Sequence, residues 1–330
     1  NVSRTGSNVL TSVLPARPSI ATLFNCIKRL LIQIVSLFVA NLVSIVILSR
    51  GRCGLSKCTT CYLVAMSAAD LMVVFTDVIF NRIVSYYFPN SFVFITHVCR
   101  FILVVLLVFA TQCSVWFTAA FTFDRFVAIC RQKIKTAYCS VKTAVCIIIT
   151  VSAINCVQSV PWYFAFTHLV IINNFPFYCT GKASYYSLPI WKVFTWSYRV
   201  FTPLVVLVLI SLFNSLTIRH ILLASRIRRR IRVNENGEKQ KDPEMEKRRK
   251  SIILLFSISA SFLLLWMTNI IYTLKCSRHI FQQTGFMLKL LSSCTNTCIY
   301  AVTQSKFRED MKKVELPMDS PEFIIIVLSR

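Results

Sequence analysis

Asp70 stands midway along an apolar run, residues 59–80, in the context Ser67-Ala68-Ala69-Asp70-Leu71. A carboxylate at the centre of a membrane helix costs roughly 3 kcal/mol on insertion scales, so a chain that keeps one has a use for it. Asp77 follows two helical turns later, on nearly the same face and nearer the other end. A third acid, Asp124, closes a later apolar run and is followed at once by Arg125, a permanently charged multidentate donor. Buried carboxylates of this kind hold a proton, a guanidinium or a hard cation, and oxygen ligands suit Na⁺ better than a soft metal. Asn41, Asn155, Asn214, Asn269 and Asn296 put one amide into each of five apolar runs, where an interhelical hydrogen bond is the plain use.

Cysteine chemistry divides by position. Of fourteen cysteines, only Cys26, Cys99, Cys179 and Cys276 fall at or near the side read below as extracellular, where disulfides persist. A Cys99–Cys179 bridge would pin a long loop over the helices, and Cys26–Cys276 is a second possible pair. Cys53, Cys58 and Cys61 begin a zinc-like spacing but lack a fourth ligand. The chain has no GxxxxGK[ST] phosphate loop and no HExxH, and its four histidines have no acid at catalytic spacing. No residue set supports an enzyme.

The elements that position these groups follow from composition. Of 330 residues, 55% are hydrophobic and 15% charged, with a mean hydropathy of +0.63, whereas soluble domains carry about 25% charge. Seven apolar runs of spanning length occur at 30–48, 59–80, 101–120, 143–166, 200–218, 251–274 and 286–303, the last interrupted by Lys289. Their length and lack of alternation specify helices, not barrel strands. The net charge of +24 would suit nucleic acid, but the basic residues lie between the apolar runs and report membrane topology instead. One side collects 23 Lys and Arg, the other 11, so the first is cytoplasmic and the N-terminus is outside. The sequon Asn1-Val2-Ser3 agrees with that orientation. The chain opens on Asn1 rather than Met and shows no secretory signal, so we expect a fragment.

Residues 1–29 are expected to form an extracellular segment, 30–303 a seven-helix transmembrane domain, and 304–330 a cytoplasmic eighth helix and tail. The third cytoplasmic loop, about 219–250, has basic ends read as helix extensions, around a flexible turn at Asn236-Gly237. The fold class is all-α: a multi-pass bundle of seven transmembrane helices.

Asp70, Cys99 with Cys179, and Asp124-Arg125-Phe126, set in seven spans, together resemble the rhodopsin-like (class A) G-protein-coupled receptors over about residues 30–313. Asn41 is similar to that family's first-helix Asn, Asp70 to its second-helix Asp, and Asp124-Arg125-Phe126 to its D-R-Y motif. Trp266 resembles the sixth-helix toggle Trp, and Asn296-Thr297-Cys298-Ile299-Tyr300 the N-P-x-x-Y motif. Ser305-Lys306-Phe307-Arg308 looks like the start of the amphipathic eighth helix. Phe121–Phe126, 242–256 and 291–307 further resemble the orphan group of G-protein coupled receptor 139. The departures are Phe126 for Tyr, Thr268 and Thr297 for the sixth- and seventh-helix Pro, a missing fourth-helix Trp and a fifth-helix Pro203 out of register.

The resemblance implies a plasma-membrane receptor that turns binding of a small extracellular ligand, an amino acid or short peptide, into activation of a heterotrimeric G-protein of Gq type. It implies that Ser114, Ser293 and Asn296 converge on Asp70 around an allosteric Na⁺, with no other cofactor. Arg125, held by Asp124 and joined by Tyr300 on opening, would be the cytoplasmic switch, with the flanks 226–232 and 247–250 contacting G-protein and anionic lipid. Asn41, Trp266 and Asn296 would form the activation core. On the outer side no predicted loop carries an acid, which favours ligands bearing a carboxylate. Asp77 would take a ligand ammonium and Arg100 or Arg199 its carboxylate, with Trp162, Asn269 and Tyr272 at the rim. Two other readings are a receptor fold with impaired coupling and a transporter. Against the transporter stand the absence of an internal repeat and the scarcity of Gly.

Overall fold

The computed structural model describes residues 38–50, 55–84, 88, 91–172, 174–234, 243–275, 291–292, 295–304 and 307–310. Cys26, Cys276 and Ser293 lie outside them. Helix α1 is Phe38–Ser49. Helix α2, Lys57–Val73, starts where the Ser56 hydroxyl accepts the Thr59 N–H at 3.2 Å, and it runs on as a π-helix over Val74–Val84. Helix α3 is Thr96–Cys130, π-wound over Arg100–Leu106. A short α4, Gln132–Tyr138, leads to α5, Val141–Ala165, capped by Ser140 onto the Thr143 N–H at 3.1 Å. After α6, Ala183–Ser187, helix α7 begins at Pro189, passes through a π-wound stretch at Ser197–Phe201 and continues as Thr202–Asn234. Helix α8 is Pro243–Lys275, α9 covers 295–303, and a last turn α10 covers 307–310.

Among the described residues, Lys57–Asn81, Thr96–Cys130, Val141–Ala165 and Pro189–Arg226 are long and apolar enough to cross a membrane. Two shorter apolar helices, Phe38–Ser49 and Ile252–Thr268, accompany them. The runs expected at 101–120, 200–218 and 251–274 are all longer as helices. Hydropathy stops at the first charges, but backbone hydrogen bonding does not depend on the side chain, so α3 winds through Arg125 and α7 through its basic end.

Helix α3 is the hub, packing against α2, α5, α7 and α8. Around its cytoplasmic half, Tyr62, Met66, Phe121, Leu254, Tyr300 and Phe307 form one buried cluster. Nearer its middle, Val115 and Ala119 meet Val206, Ile210 and Phe262 in a second, with Trp266 packed on its edge. Three of its threonines are satisfied within the helix: Thr111, Thr118 and Thr122 each donate to the carbonyl four residues back, at 2.8–2.9 Å.

The outer loop adds a small hairpin to an otherwise helical chain. Strand β1, Phe166–Thr167, pairs antiparallel with β4, Thr180–Gly181, and β2, Val170–Ile172, with β3, Phe175–Phe177. Asn174 takes the left-handed conformation at the turn, φ 64°, which Asn tolerates. Tyr178 also has a positive φ, 58°, costly for a bulky residue. It is held there from several sides: its N–H donates to the Phe94 carbonyl at 2.6 Å, its carbonyl accepts from Thr96 at 2.9 Å, and its ring packs on Phe94. The next residue, Cys179, is bridged to Cys99 at the start of α3, with 6.0 Å between their Cα atoms. That bridge ties the hairpin to the bundle.

The bridge joins residues 80 apart, so loop-closure entropy gives it an upper value of about 4.5 kcal/mol. Cys179→Ser is expected to lower the melting temperature of purified protein by about 5 °C or more. Non-reducing peptide mapping should recover Cys99 joined to Cys179; free thiols at both positions would contradict the bridge.

Candidate functional site

Two polar centres lie along α3, ten residues apart. In the first, Asp70 of α2 is 1% exposed. Leu63, Ser67 and Asp70 fall on one helical row of α2 and are all buried, so the sequence aims this carboxylate inward. The Ser114 hydroxyl donates to Asp70 Oδ1 at 2.6 Å, and the Asn296 amide to Oδ2 at 3.0 Å. Helices α2, α3 and α9 thus meet on one carboxylate. Asn41 is fully buried on α1, and one turn along, Ser44 donates to the Thr297 hydroxyl at 2.9 Å, while Thr297 reaches the Ala40 carbonyl at 3.4 Å. The residue standing in place of proline therefore ties α9 to α1.

The second centre closes α3. Asp124 and Arg125 are both buried, and Arg125 donates from Nε to Asp124 Oδ2 at 3.0 Å, with its terminal nitrogen on the same oxygen. The other carboxylate oxygen, Oδ1, accepts from the Cys58 thiol of α2 at 3.1 Å. Cys139, between α4 and α5, sends its thiol toward the Asp124 carbonyl at 3.9 Å. Burial first, and the Asp124 charge second, push the Cys139 thiol up to about 11 and the Tyr138 phenol up to about 12, so both stay protonated at cytoplasmic pH. Phe126 stacks on Phe213 of α7, 5.6 Å between centroids, so the ring that replaces tyrosine works as packing. Tyr300 is buried edge-on to Phe307, and Arg308 caps the end of α9 by donating to the Ala301 and Val302 carbonyls.

Toward the outside the expected residues do not all converge. Asp77 is buried and accepts from Asn81 at 3.2 Å. The π-winding that begins at Val74 takes Asp77 off the row of Asp70, correcting the expectation of a shared face. Arg100 lies over the Tyr163 ring at 5.6 Å, and the Tyr163 hydroxyl pairs with His97 Nδ1 at 2.7 Å. Arg199 is exposed in the π-wound part of α7. Trp162, expected at the rim, is instead 4% exposed and enclosed by Tyr185, Phe194 and Tyr198. Trp266 stacks on Phe262 at 5.6 Å. The side chains of Asn269 and Tyr272, like Ser293, lie outside the described residues. Among the described residues no cluster of His, Cys, Asp and Glu has the makings of a metal site.

Sequence reasoning passed over Cys139, Ser44 and the hydroxyl of Thr297, and met Cys58 only as part of an incomplete zinc-like spacing, not as a partner of Asp124. Hydroxyl and thiol groups are common in membrane helices, and only the packing shows which of them reach another helix.

The family model described as 7 transmembrane receptor (rhodopsin family) matches residues 40–300. The thyrotropin-releasing hormone receptors of Ovis aries and Bos taurus are each 24% identical to this chain, over 99% of it and 88% of their own length.

If the Ser44–Thr297 bond holds α1 to α9, Ser44→Ala and Thr297→Val should each destabilise the protein by about 0.5–1.5 kcal/mol. Combined, they should cost less than their sum; strict additivity in a double-mutant cycle would show that the two hydroxyls do not interact.

Proposed function

We propose, since this chain belongs to the rhodopsin family of seven-transmembrane receptors, that it carries a small ligand's binding outside the cell to a Gq-type G-protein inside. The chain is a receptor and not an enzyme; its partners are a G-protein and an extracellular ligand, and it is an integral membrane protein. Placement in the plasma membrane, the Gq class and the ligand's chemistry are our own reading.

The observation that supports the reading best is the Asp124–Arg125 pair, buried where α3 meets α2 and α7. A guanidinium folded back on its own neighbour is a resting state. Once the cytoplasmic ends part, Arg125 turns toward the G-protein, with Tyr300 moving in from α9. A ligand drives this only by binding the open bundle more tightly than the closed one.

Asp70 is the second element of the reading. Its carboxylate is buried, and the donors from Ser114 and Asn296 are neutral, so the oxygens of Asp70 and Ser114 fit a hard monovalent cation such as Na⁺. Na⁺ there would supply positive charge that favours the closed packing of α2, α3 and α9. Protonation of Asp70 is the competing state.

For the ligand we favour a small zwitterion with an aromatic side chain, an amino acid or the end of a short peptide. Asp77 takes its ammonium and Arg100 or Arg199 its carboxylate, with Asn269 and Tyr272 as further ligand-binding candidates in the outer part of α8. The related receptors are named for thyrotropin-releasing hormone, and only the idea of an extracellular signal comes from them.

Arg125→Ala should abolish calcium mobilisation while leaving surface expression near wild type; full signalling in that variant would defeat the switch assignment. Raising Na⁺ should weaken agonist affinity in wild type and leave Asp70→Asn unaffected, whereas insensitivity of both would remove Na⁺ from the account. With aromatic amino acids and their decarboxylated amines as probes, Asp77→Asn is expected to reduce the potency of both series by about tenfold or more. Arg199→Ala should erase the preference for the carboxylate-bearing series. Unchanged potencies in both variants would overturn the ligand model.

A further inference from the structure

We propose that Cys58 is a positioning residue of the cytoplasmic switch: its thiol, seconded by that of Cys139, clasps Asp124 so that Arg125 stays folded back, and releasing the clasp raises ligand-independent signalling. The inference rests on the reading of Asp124–Arg125 given above.

Both nitrogens that Arg125 offers to Asp124 go to one oxygen, Oδ2. Guanidinium contact on one oxygen leaves the carboxylate free to rotate unless something holds the other. Oδ1 is taken by Cys58, which is 2% exposed and sits in the first turn of α2, 66 residues away along the chain. This bond therefore fixes the plane of the carboxylate and ties α3 to α2 at the same time. Cys139 approaches from a third side, through the backbone carbonyl of the same residue. Asp124 is itself fully buried, so an oxygen stripped of its donor has no water to turn to.

The choice of sulfur has a consequence for switching. A thiol is a weak donor, strengthened here by a charged acceptor in a low-dielectric setting. It orients Asp124 at rest yet yields more readily than a hydroxyl when the helix ends separate. Burial also makes Cys58 a reporter, because an electrophile reaches it only when α2 and α3 part.

The test compares wild type, Cys58→Ala, Cys58→Ser, Asp124→Asn and the outward-facing control Cys146→Ala in nanodiscs. The readout is ligand-independent nucleotide exchange on a purified Gq heterotrimer, per folded receptor. Cys58→Ala should raise exchange about threefold or more, Cys58→Ser should return it to within about twofold of wild type, and Cys146→Ala should leave it unchanged. Adding Cys58→Ala to Asp124→Asn should bring no further rise. If Asp124→Asn raises exchange and Cys58→Ala does not, the clasp is wrong and the switch reading stands. If neither raises it, the switch reading has failed and takes the clasp with it. A second measurement needs neither the alanine variant nor a G-protein: alkylation of Cys58 by N-ethylmaleimide, followed by peptide mass mapping. Asp124→Asn should speed that reaction at least about fivefold; equal rates in wild type and Asp124→Asn would overturn the proposal.

Discussion

Hydrocarbon offers no hydrogen bonds, so every polar group that enters it must be satisfied by the chain itself, and the carboxylates of Asp70 and Asp124 are the most demanding groups this chain places there. Each is met from several helices: Asp70 by Ser114 of α3 and Asn296 of α9, Asp124 by Arg125 of α3 and Cys58 of α2. That requirement sets the architecture. Helix α3 must run through the middle, because it supplies a partner or the acid itself at both levels, and α2 must lie against it along its length, because it supplies the other half. The same groups that make the packing specific make it switchable, since a carboxylate held by exchangeable donors has alternatives that an apolar contact lacks.

The outer end is organised by a covalent constraint in place of buried charge. Cys99–Cys179 anchors the hairpin at the start of α3, and Tyr178 next to it keeps a left-handed backbone only because Phe94, Thr96 and the bridge fix it from several directions. The hairpin rests on a fixed point of the hub helix, so the loop that roofs the bundle is positioned by the helix that also carries the cytoplasmic switch.

Much of this was legible in the residue order. Seven apolar runs and the Lys/Arg asymmetry gave helices and orientation, because the bilayer imposes length and charge rules that act locally along the chain. Asp70 and Asp124-Arg125 stood out because a charge inside an apolar run is rare. What could not be read were the partners. The bond from Cys58 to Asp124 spans 66 positions and that from Ser44 to Thr297 spans 253, and neither residue type is unusual in its place. Trp162 was misplaced for a related reason: an aromatic residue near the outer end suits a pocket rim and a helix interface equally well, and only the rings of Tyr185, Phe194 and Tyr198 around it decide for the interface. Asp77 was put on the row of Asp70 because periodicity assumes uniform winding.

The departures from uniform winding are themselves distributed with a pattern. The three π-wound stretches among the described residues, Val74–Val84, Arg100–Leu106 and Ser197–Phe201, lie in the outer parts of α2, α3 and α7. The cytoplasmic parts of the same helices are α-helical through Tyr62, Arg125 and Phe213. A π-turn re-aims the residues that follow it and loosens the backbone ladder locally, which suits a region that must shape itself around a ligand. The inner parts carry the Asp70 and Asp124 contacts, whose geometry tolerates no such freedom. Where proline would kink the sixth helix, Thr268 donates to the Leu264 carbonyl at 2.7 Å, and such back-bonding bends a helix gently without breaking it. In α2, α3, α7 and α8 irregularity among the described residues comes largely from winding and a side-chain hydroxyl, whereas α5 carries a proline, Pro161, inside it; the π-wound stretches are concentrated on the side of the bundle away from the ion pair that has to stay ordered.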